Sequence, residues 1–182
     1  MGIEIEKKYR LRRAQVEALR QRLREVGAAS DGEELEENTL YTGQGLDPRS
    51  RVLRLRRISG ARAVLTYKER FASASAIKHQ REDETEVENA EALAAILDAL
   101  GYKPALVYEK RRTAWQLADV EIVIDELPFG LFVEIEGEED AIISAERLLN
   151  LSGVESEHAS YPELAQQHGS QNGDLIEARF SK

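Results

Sequence analysis

The chain has 182 residues, of which 42% are hydrophobic, so it is long enough to bury a core as one domain. Its 34 acidic and 25 basic residues give a net charge of −9, which argues against a general nucleic-acid binder or a protein of anionic membrane surfaces. The lack of cysteine excludes disulfides, thiolate zinc sites and a thiol nucleophile. No apolar run approaches the roughly 20 residues that span a bilayer, and no signal peptide precedes the first strand pattern, so we expect a cytoplasmic protein.

Strands are predicted for much of the chain because apolar and charged residues alternate along it. Residues 30–38 are strongly acidic and are predicted to form a loop. The small, polar stretch at residues 70–77 is predicted to be a mobile loop. In chain order, the predicted strands cover about residues 3–10, 39–42, 51–58, 62–69, 78–88, 105–115, 119–126 and 131–137.

Helical spacing of apolar residues predicts helices at about residues 14–26, 90–100 and 140–150, and a last short helix near 161–167. Residues 170–182 have a weak pattern and are predicted to be loose. The sequence therefore predicts one domain, residues 1–169, followed by a flexible C-terminal tail, residues 170–182.

The number of predicted strands and the links between them indicate the fold class. Most links are short, which favours antiparallel pairing. Eight strands can close a barrel whose interior holds side chains or one small ligand. We therefore predict an α+β, mainly β protein: an eight-stranded antiparallel closed β-barrel, or tunnel, with helices packed outside. The apolar strand faces would then lie under the helices, and the charged faces would line the interior.

Like charges recur two residues apart on these strands, which places them on one strand face. On a solvated face they would be ordinary surface residues, and this is the simpler interpretation of any single pair. Around a shared interior they require counter-ions, namely divalent metal ions for carboxylates and a polyanion for Arg and Lys. The acidic set comprises Glu4, Glu6, Glu84, Glu86, Asp125, Glu134 and Glu136. The basic set comprises Lys8, Arg54, Arg56, Lys68, Lys110 and Arg112.

Three aromatic residues are predicted to have packing roles. Trp115, the single tryptophan, is predicted to be a core residue. Tyr41 and Tyr161 are predicted to pack while their hydroxyl groups reach the mouth of the pocket.

The charged motifs, taken in order, resemble those of the CYTH superfamily, the triphosphate tunnel metalloenzymes. The sequence EIEKK at residues 4–8 is similar to the family's ExExK signature, which is weak by itself and strong as part of an ordered set. The set continues with LRLR (53–56), TYK (66–68), ETE (84–86), EKRR (109–112), DE (125–126), FVEIEG (132–137) and SYPEL (160–164). The segment LGYKPALVYEKRR (100–112) is similar to the class IV adenylyl cyclase-like branch.

The resemblance implies a tunnel that binds a triphosphate together with divalent metal, Mg²⁺ or Mn²⁺ and two ions. By position, Glu4, Glu6, Glu134 and Glu136 would be metal ligands, with Asp125 and Glu84 or Glu86 nearby. Arg54, Arg56, Lys68, Lys110, Arg112 and Lys8 would hold the phosphates. Lys8 would also be catalytic, since it is placed to orient or deprotonate the attacking water.

The function predicted on this basis is metal-dependent hydrolysis of inorganic tripolyphosphate, a nucleoside triphosphate or thiamine triphosphate. One alternative is a class IV adenylyl cyclase, and another is a non-catalytic polyphosphate- or nucleotide-binding module. The simplest alternative is an acidic β-domain with solvated charges. The expected partner is a small-molecule triphosphate, with no nucleic acid and no membrane, and the oligomeric state, a homodimer included, stays open.

Overall fold

The computed structural model describes residues 2–43, 45–47, 50–59, 62–70 and 78–181, with the backbone alone for residues 2–4, 70 and 78–80. Within this part of the chain the structure contains ten strands and four helices. The strands are β1 (Gly2–Leu11), β2 (Ala29–Thr42), β3 (Arg51–Ile58), β4 (Arg62–Arg70), β5 (Lys78–Val87), β6 (Lys103–Leu117), β7 (Val120–Leu127), β8 (Gly130–Glu136), β9 (Ser170–Asn172) and β10 (Leu175–Ala178). The helices are α1 (Arg13–Glu25), α2 (Ala90–Ala99), α3 (Glu139–Leu148) and α4 (Tyr161–His168).

The long strands form one antiparallel sheet in the order β2-β3-β4-β5-β1-β8-β7-β6, and β10 and β9 follow β6. β2 also pairs with β6, in antiparallel register from Ala29 opposite Gln116 to Thr42 opposite Lys103. The two strands at the ends of the eight-strand series therefore pair with each other. The prediction of a mainly β, antiparallel fold with helices is confirmed.

The outer face of the sheet is apolar because every second residue of each strand faces the helices. Leu19 and Leu23 of α1 and Ile142 of α3 pack in one core cluster with Ile135 of β8 and with Trp115 of β6. Trp115 is buried, as predicted. A separate cluster joins α2 to Leu53 and Leu55 of β3. Helices α1, α2 and α3 thus cover the outer face of the sheet, opposite the inner face that carries the charged residues.

The predicted loop at residues 30–38 is wrong, because these residues belong to β2, which pairs with β6 along its length. Backbone hydrogen bonds to β6, which is distant in the sequence, hold β2 in the sheet. Its acidic residues do not alternate with apolar ones, so the sequence pattern does not predict a strand there. Its inner-face residues Glu36 and Asn38 are nevertheless buried.

The predicted loose tail is also wrong over residues 170–178, which form β9 and β10. β10 pairs in parallel with β6, with Ile176 opposite Leu106. Beyond it, Arg179 forms ion pairs with Glu37 at 2.6 Å and with Glu109 at 3.0 Å. The apolar pattern of a four-residue strand is too short to be recognised in the sequence.

Two further observations concern loops and helices. Residues 71–77, which belong to the predicted mobile loop, lie outside the described residues. Among the helices that the structure describes, none combines the length and the apolar composition that crossing a bilayer requires. The remaining predicted strands and helices lie within a few residues of their observed positions.

Candidate active site

Apart from Glu4, the charged residues predicted as a set lie on the inner face of the sheet, on strands of one continuous series. Alternation places them there, since the opposite face of each strand packs under the helices. Those that are buried include Glu6, Lys8, Arg54, Lys110, Asp125 and Glu134. Glu4 belongs to β1, opposite Gln80 of β5, and its side chain lies outside the described part of the structure.

Glu6 of β1 and Glu134 and Glu136 of β8 form a carboxylate cluster. The strand register places Glu6 directly opposite Glu136, and Lys8 opposite Glu134. One carboxylate oxygen from each of the three lies within 4.8 Å of the others. Hard divalent cations such as Mg²⁺ and Mn²⁺ prefer oxygen ligands, so this donor set fits the metal that the sequence predicts.

Lys8 lies at the edge of this cluster. Its Nζ atom is 3.2 Å from Glu134 Oε1 and donates a hydrogen bond of 3.2 Å to the carbonyl oxygen of Ala159. Burial disfavours the charged form, but the carboxylates of Glu134 and Glu6 outweigh burial and raise the pKa of Lys8 above its ordinary value. Lys8 is therefore a protonated, fixed charge, which suits an orienting role better than that of a base.

Arg112 of β6 is held in place by two carboxylates. Its Nε and Nη2 atoms donate to the two oxygens of Asp125, at 2.8 and 2.6 Å, and Nη2 also donates to Glu134 at 3.0 Å. Burial opposes the charge of Asp125, but Arg112 and then Lys110 lower its pKa well below the ordinary range. The bidentate pair with Asp125 fixes the guanidinium group, and the separate hydrogen bond to Glu134 connects it to the carboxylate cluster.

Glu36 of β2 is a site residue that the sequence analysis missed. It is 1% exposed and lies 3.3 Å from Lys110 Nζ and 3.7 Å from Arg56 Nε. Burial opposes its charge, but Lys110, Arg56 and Arg112 together lower the pKa of Glu36 from 4.5 to about 2. The pKa of Lys110 falls from 10.5 to about 8, through burial first and the charge of Arg112 second. Recognition of β2 as a strand would have placed Glu36 in the acidic set.

Glu36 should make the stability of the protein depend on pH in the acidic range. Because its pKa is lowered to about 2 in the folded chain, its contribution is complete above pH 4.5 and is lost as the pH falls towards 2. We expect Glu36→Gln to remove about 3 kcal/mol of this acid-dependent stability. The measurement is urea unfolding of both proteins between pH 2 and 6. Equal pH slopes for the variant and the wild type would contradict the assignment.

A second group of contacts surrounds the arginines of β3. Arg54 Nη2 donates to Thr66 Oγ1 at 3.2 Å and to Glu84 Oε1 at 3.4 Å. Arg56 Nη2 lies 3.7 Å from the same Glu84 oxygen. Lys68 forms an ion pair of 2.7 Å with Glu82. Arg54, Arg56, Lys68 and Lys110 thus each have a carboxylate partner on another strand of the sheet.

The structure gives the carboxylates of β5 different surroundings from those of the cluster. Glu84 contacts arginines and Thr66, and Glu86 is exposed. The metal-ligand role predicted for these two residues therefore stays a prediction.

Some polar atoms of the interior are buried without a partner. The Nε atoms of Arg54 and Arg56 and the Oδ1 atom of Asn38 have no hydrogen-bond partner among the atoms that the structure describes. Buried, unsatisfied polar groups are costly, and such groups in a native interior require an explanation. Two guanidinium donors aimed into the interior fit an anionic ligand.

The interior opens at one end and is packed at the other. A cavity of about 490 Å³ reaches Glu36, Arg56 and Arg112, and its wall contains apolar residues. The remaining lining residues are Asp31, Gly32, Glu34, Ile58, Arg62, Ala114, Glu121 and Val123. At the other end, Tyr161 and Leu164 of α4 pack in an apolar cluster with residues of the strands. Tyr161 is therefore buried at the packed end, and not at the mouth of the pocket as predicted.

Solved structures of other proteins share this fold. The PH1012 protein of Pyrococcus horikoshii OT3 is 26% identical over 88% of this chain and 98% of its own, with a TM-score of 0.77. A candidate adenylate cyclase of Vibrio parahaemolyticus is 22% identical over 91% of this chain and 98% of its own, with a TM-score of 0.72. A candidate adenylyl cyclase of Hippeastrum is 18% identical over 91% of this chain and 94% of its own, with a TM-score of 0.68. No curated protein gives a significant match.

The family assignment rests on the sequence together with this fold. The family model of the CYTH domain matches residues 2–158, which include the carboxylate cluster and the basic residues of β3, β4 and β6. This confirms the family that the ordered charged motifs predict. The chain belongs to the CYTH domain family.

Proposed function

We propose that this chain is a divalent-metal-dependent hydrolase of triphosphates, and that β1–β8 close a tunnel around the substrate. The observation that carries the proposal is the composition of the interior: three carboxylates converge beside Lys8 and Arg112, and Arg54 and Arg56 keep buried donors without a partner among the described atoms. The pairing of β2 with β6 supports closure, because it joins the two ends of the strand series. Cationic side chains and metal ions are what phosphoryl transfer from a polyanion requires of a protein.

Glu6, Glu134 and Glu136 would hold the metal, Mg²⁺ or Mn²⁺, since their oxygens converge. Bound there, the metal would neutralise phosphate oxygens and make water a better nucleophile. The number of ions and the metal-ligand roles of Glu4 and Asp125 stay predictions. The cytoplasmic location likewise stays a prediction.

The chain's own cations would bind and align the triphosphate. Arg54, Arg56 and Arg112 present guanidinium groups that can donate two hydrogen bonds to one phosphate, and Lys68 and Lys110 add point charges. Lys8, which is buried next to the carboxylate cluster, would orient the terminal phosphate. Water oxygen forms a bond to the terminal phosphorus while the bridging P–O bond breaks, which yields orthophosphate, the shortened phosphate chain and a proton.

A class IV adenylyl cyclase is the second candidate, favoured by the apolar wall of the cavity. Ile58, Ala114 and Val123 lie in the same cavity as Arg56 and Arg112, so a nucleoside could rest there while its phosphates reach the arginines. In that reaction the ribose 3′-hydroxyl oxygen attacks the α-phosphorus and pyrophosphate leaves. The similar protein of Hippeastrum, a candidate cyclase, is described as having a dominant triphosphatase activity, which supports hydrolysis as the first choice.

One experiment separates these functions. Orthophosphate, pyrophosphate and cyclic AMP are measured after incubation with tripolyphosphate, ATP or thiamine triphosphate and Mg²⁺ or Mn²⁺. Orthophosphate released only with metal supports the hydrolase, and cyclic AMP with pyrophosphate supports the cyclase. Tight binding without any product would support a non-catalytic polyphosphate- or nucleotide-binding module.

Ligand binding should also stabilise the folded protein. A bound triphosphate with metal would supply partners for the buried donors of Arg54 and Arg56 and for the carboxylate cluster, so it should favour the folded state. At 100 times its dissociation constant, a ligand that binds the folded state alone adds roughly 2.7 kcal/mol to stability. We expect calorimetry to show a higher Tm with tripolyphosphate and Mg²⁺ than with either alone. An unchanged Tm would contradict the proposed site.

A further inference from the structure

A segment that follows α3 in the chain is fastened to Lys8. Ser156 forms an isolated bridge with Tyr9 of β1, and the amide of Glu157 donates a hydrogen bond of 2.8 Å to the carbonyl oxygen of Lys8. The Lys8 ammonium group donates in turn to the Ala159 carbonyl at 3.2 Å. The backbone of residues 156–159 therefore holds both the main chain and the side chain of Lys8.

Tyr161 completes these surroundings with its aromatic ring. The Nζ atom of Lys8 lies 4.1 Å from the centre of the ring, and that of Lys110 lies 5.5 Å from it. The ring of Phe132 contacts the Tyr161 ring edge-on, with 5.4 Å between centroids. Two lysines from different strands, β1 and β6, thus share one aromatic partner.

The start of α4 fixes the position of this ring. Ser160 caps the helix: its hydroxyl accepts from the amide of Glu163, and the Glu163 carboxylate accepts from the Ser160 amide. Pro162 occupies the first turn, where its ring is pre-organised for a helix. Tyr161 is 7% exposed, so its ring is confined by packing as well as by the helix start.

The aromatic ring adds to the carboxylates that already contact these lysines, Glu134 at 3.2 Å from Lys8 and Glu36 at 3.3 Å from Lys110. A lysine ammonium group is a point charge on a flexible stem, so its location needs to be restrained. A further carboxylate would restrain it but would also neutralise it more, and would compete with phosphate oxygens for its donors. An aromatic face attracts the cation and leaves its net charge in place. The ring therefore restrains the two ammonium groups without neutralising them further.

We propose that Tyr161 is a positioning residue of the site, whose ring locates the ammonium groups of Lys8 and Lys110 for the phosphates of the substrate. The inference rests on the proposed function, since it assigns these two lysines to triphosphate binding. It goes beyond that function by making the start of α4 a part of the site.

The test compares Tyr161→Leu, Tyr161→Phe and Leu164→Ala, with tripolyphosphate and Mg²⁺ as the probe. Leu164 is the matched control, because it is 3% exposed and packs in the same apolar cluster of α4. Tyr161→Leu should lower kcat/KM about 10-fold, through weaker binding or slower turnover, because it removes the shared cation–π partner. Tyr161→Phe keeps the ring and should restore most of the loss. Leu164→Ala should lower the Tm at least as much as Tyr161→Leu but leave kcat/KM within about 2-fold.

A double-mutant cycle distinguishes positioning from packing. The dissociation constant of tripolyphosphate is measured by calorimetry for Tyr161→Leu, Lys8→Met and the double variant. If Tyr161 acts through Lys8, most of its effect should vanish in the Lys8→Met background. Additive effects, or equal losses for Tyr161→Leu and Leu164→Ala, would overturn the inference while the proposed function stands. A wild-type protein that does not bind tripolyphosphate would overturn both.

Discussion

Replacing one carboxylate of the cluster, Glu134→Gln, is expected to lower metal-dependent turnover of tripolyphosphate by at least about 100-fold. Glu134 shares the candidate metal site with Glu6 and Glu136, and glutamine offers a neutral, weaker ligand. Changing a residue that only supports a metal ligand typically lowers metal affinity or activity 10- to 100-fold, so changing a ligand itself should lower them more. The measurements are orthophosphate release at several Mn²⁺ concentrations and Mn²⁺ binding to the free protein by calorimetry.

A glutamate on the outer face of a neighbouring strand supplies the control. Glu126 of β7 is 36% exposed at its side chain and pairs with Arg111 at 3.5 Å, outside the interior. Glu126→Gln removes the same charge from the same sheet and should leave both turnover and Mn²⁺ binding within about 2-fold. Retention of full Mn²⁺ binding by Glu134→Gln would remove the cluster as the metal site.

Glu134→Gln is also expected to change the stability of the protein without a ligand. Glu134 lies 3.2 Å from Lys8 Nζ and 3.0 Å from Arg112 Nη2, so it pairs with one buried and one half-buried cation. Removing one partner of a buried ion pair is destabilising by about 3–5 kcal/mol when the other partner stays charged. Because Glu134 contacts both cations directly, we expect a lower Tm for Glu134→Gln in metal-free buffer.

The placement of the basic residues could be predicted from the sequence because alternation is local. On β3, Leu53 and Leu55 alternate with Arg54, and on β1, Ile5 and Tyr9 lie on the face opposite Lys8; this contrast identifies the inner face without knowledge of the partner strand. On β6 the residues that alternate with Lys110 and Arg112 include the charged Glu109 and Arg111, so the contrast is weaker there. The structure brings all four to the interior.

The contribution of β2 could not be predicted in this way. Residues 30–38 are polar on both faces, and their strand conformation depends on hydrogen bonds to β6, about 80 residues further along the chain. Glu36 and Asn38 were therefore missed, although both are buried in the interior. Ion-pair partners are equally non-local. Arg54 lies on β3 and Glu84 on β5, and the two side chains can meet because only β4 lies between these strands in the sheet.

The last prediction concerns Arg54 and Arg56 of β3, which should be required for binding the triphosphate. Leu55, between them, is fully buried under α2, so both guanidinium groups point into the interior. Each has a buried Nε donor without a partner among the described atoms. Loss of one charge-assisted bidentate contact should cost roughly 1.5–3 kcal/mol, or about 10- to 150-fold in kcat/KM, for Arg54→Ala or Arg56→Ala.

Arg57 of the same strand is the matched control, because it lies on the opposite face and pairs with Glu37 at 3.7 Å. Arg57→Ala should change kcat/KM by less than 2-fold, since an exposed ion pair contributes about 0–1 kcal/mol to stability and nothing to catalysis. Arg54→Lys keeps the charge but loses the planar fork, so its activity should fall between those of the wild type and Arg54→Ala. Circular dichroism confirms folding of each variant before kcat/KM is compared. If Arg54→Ala, Arg56→Ala and Arg57→Ala are equally active, the charged face of β3 does not bind the substrate, and the tunnel assignment fails.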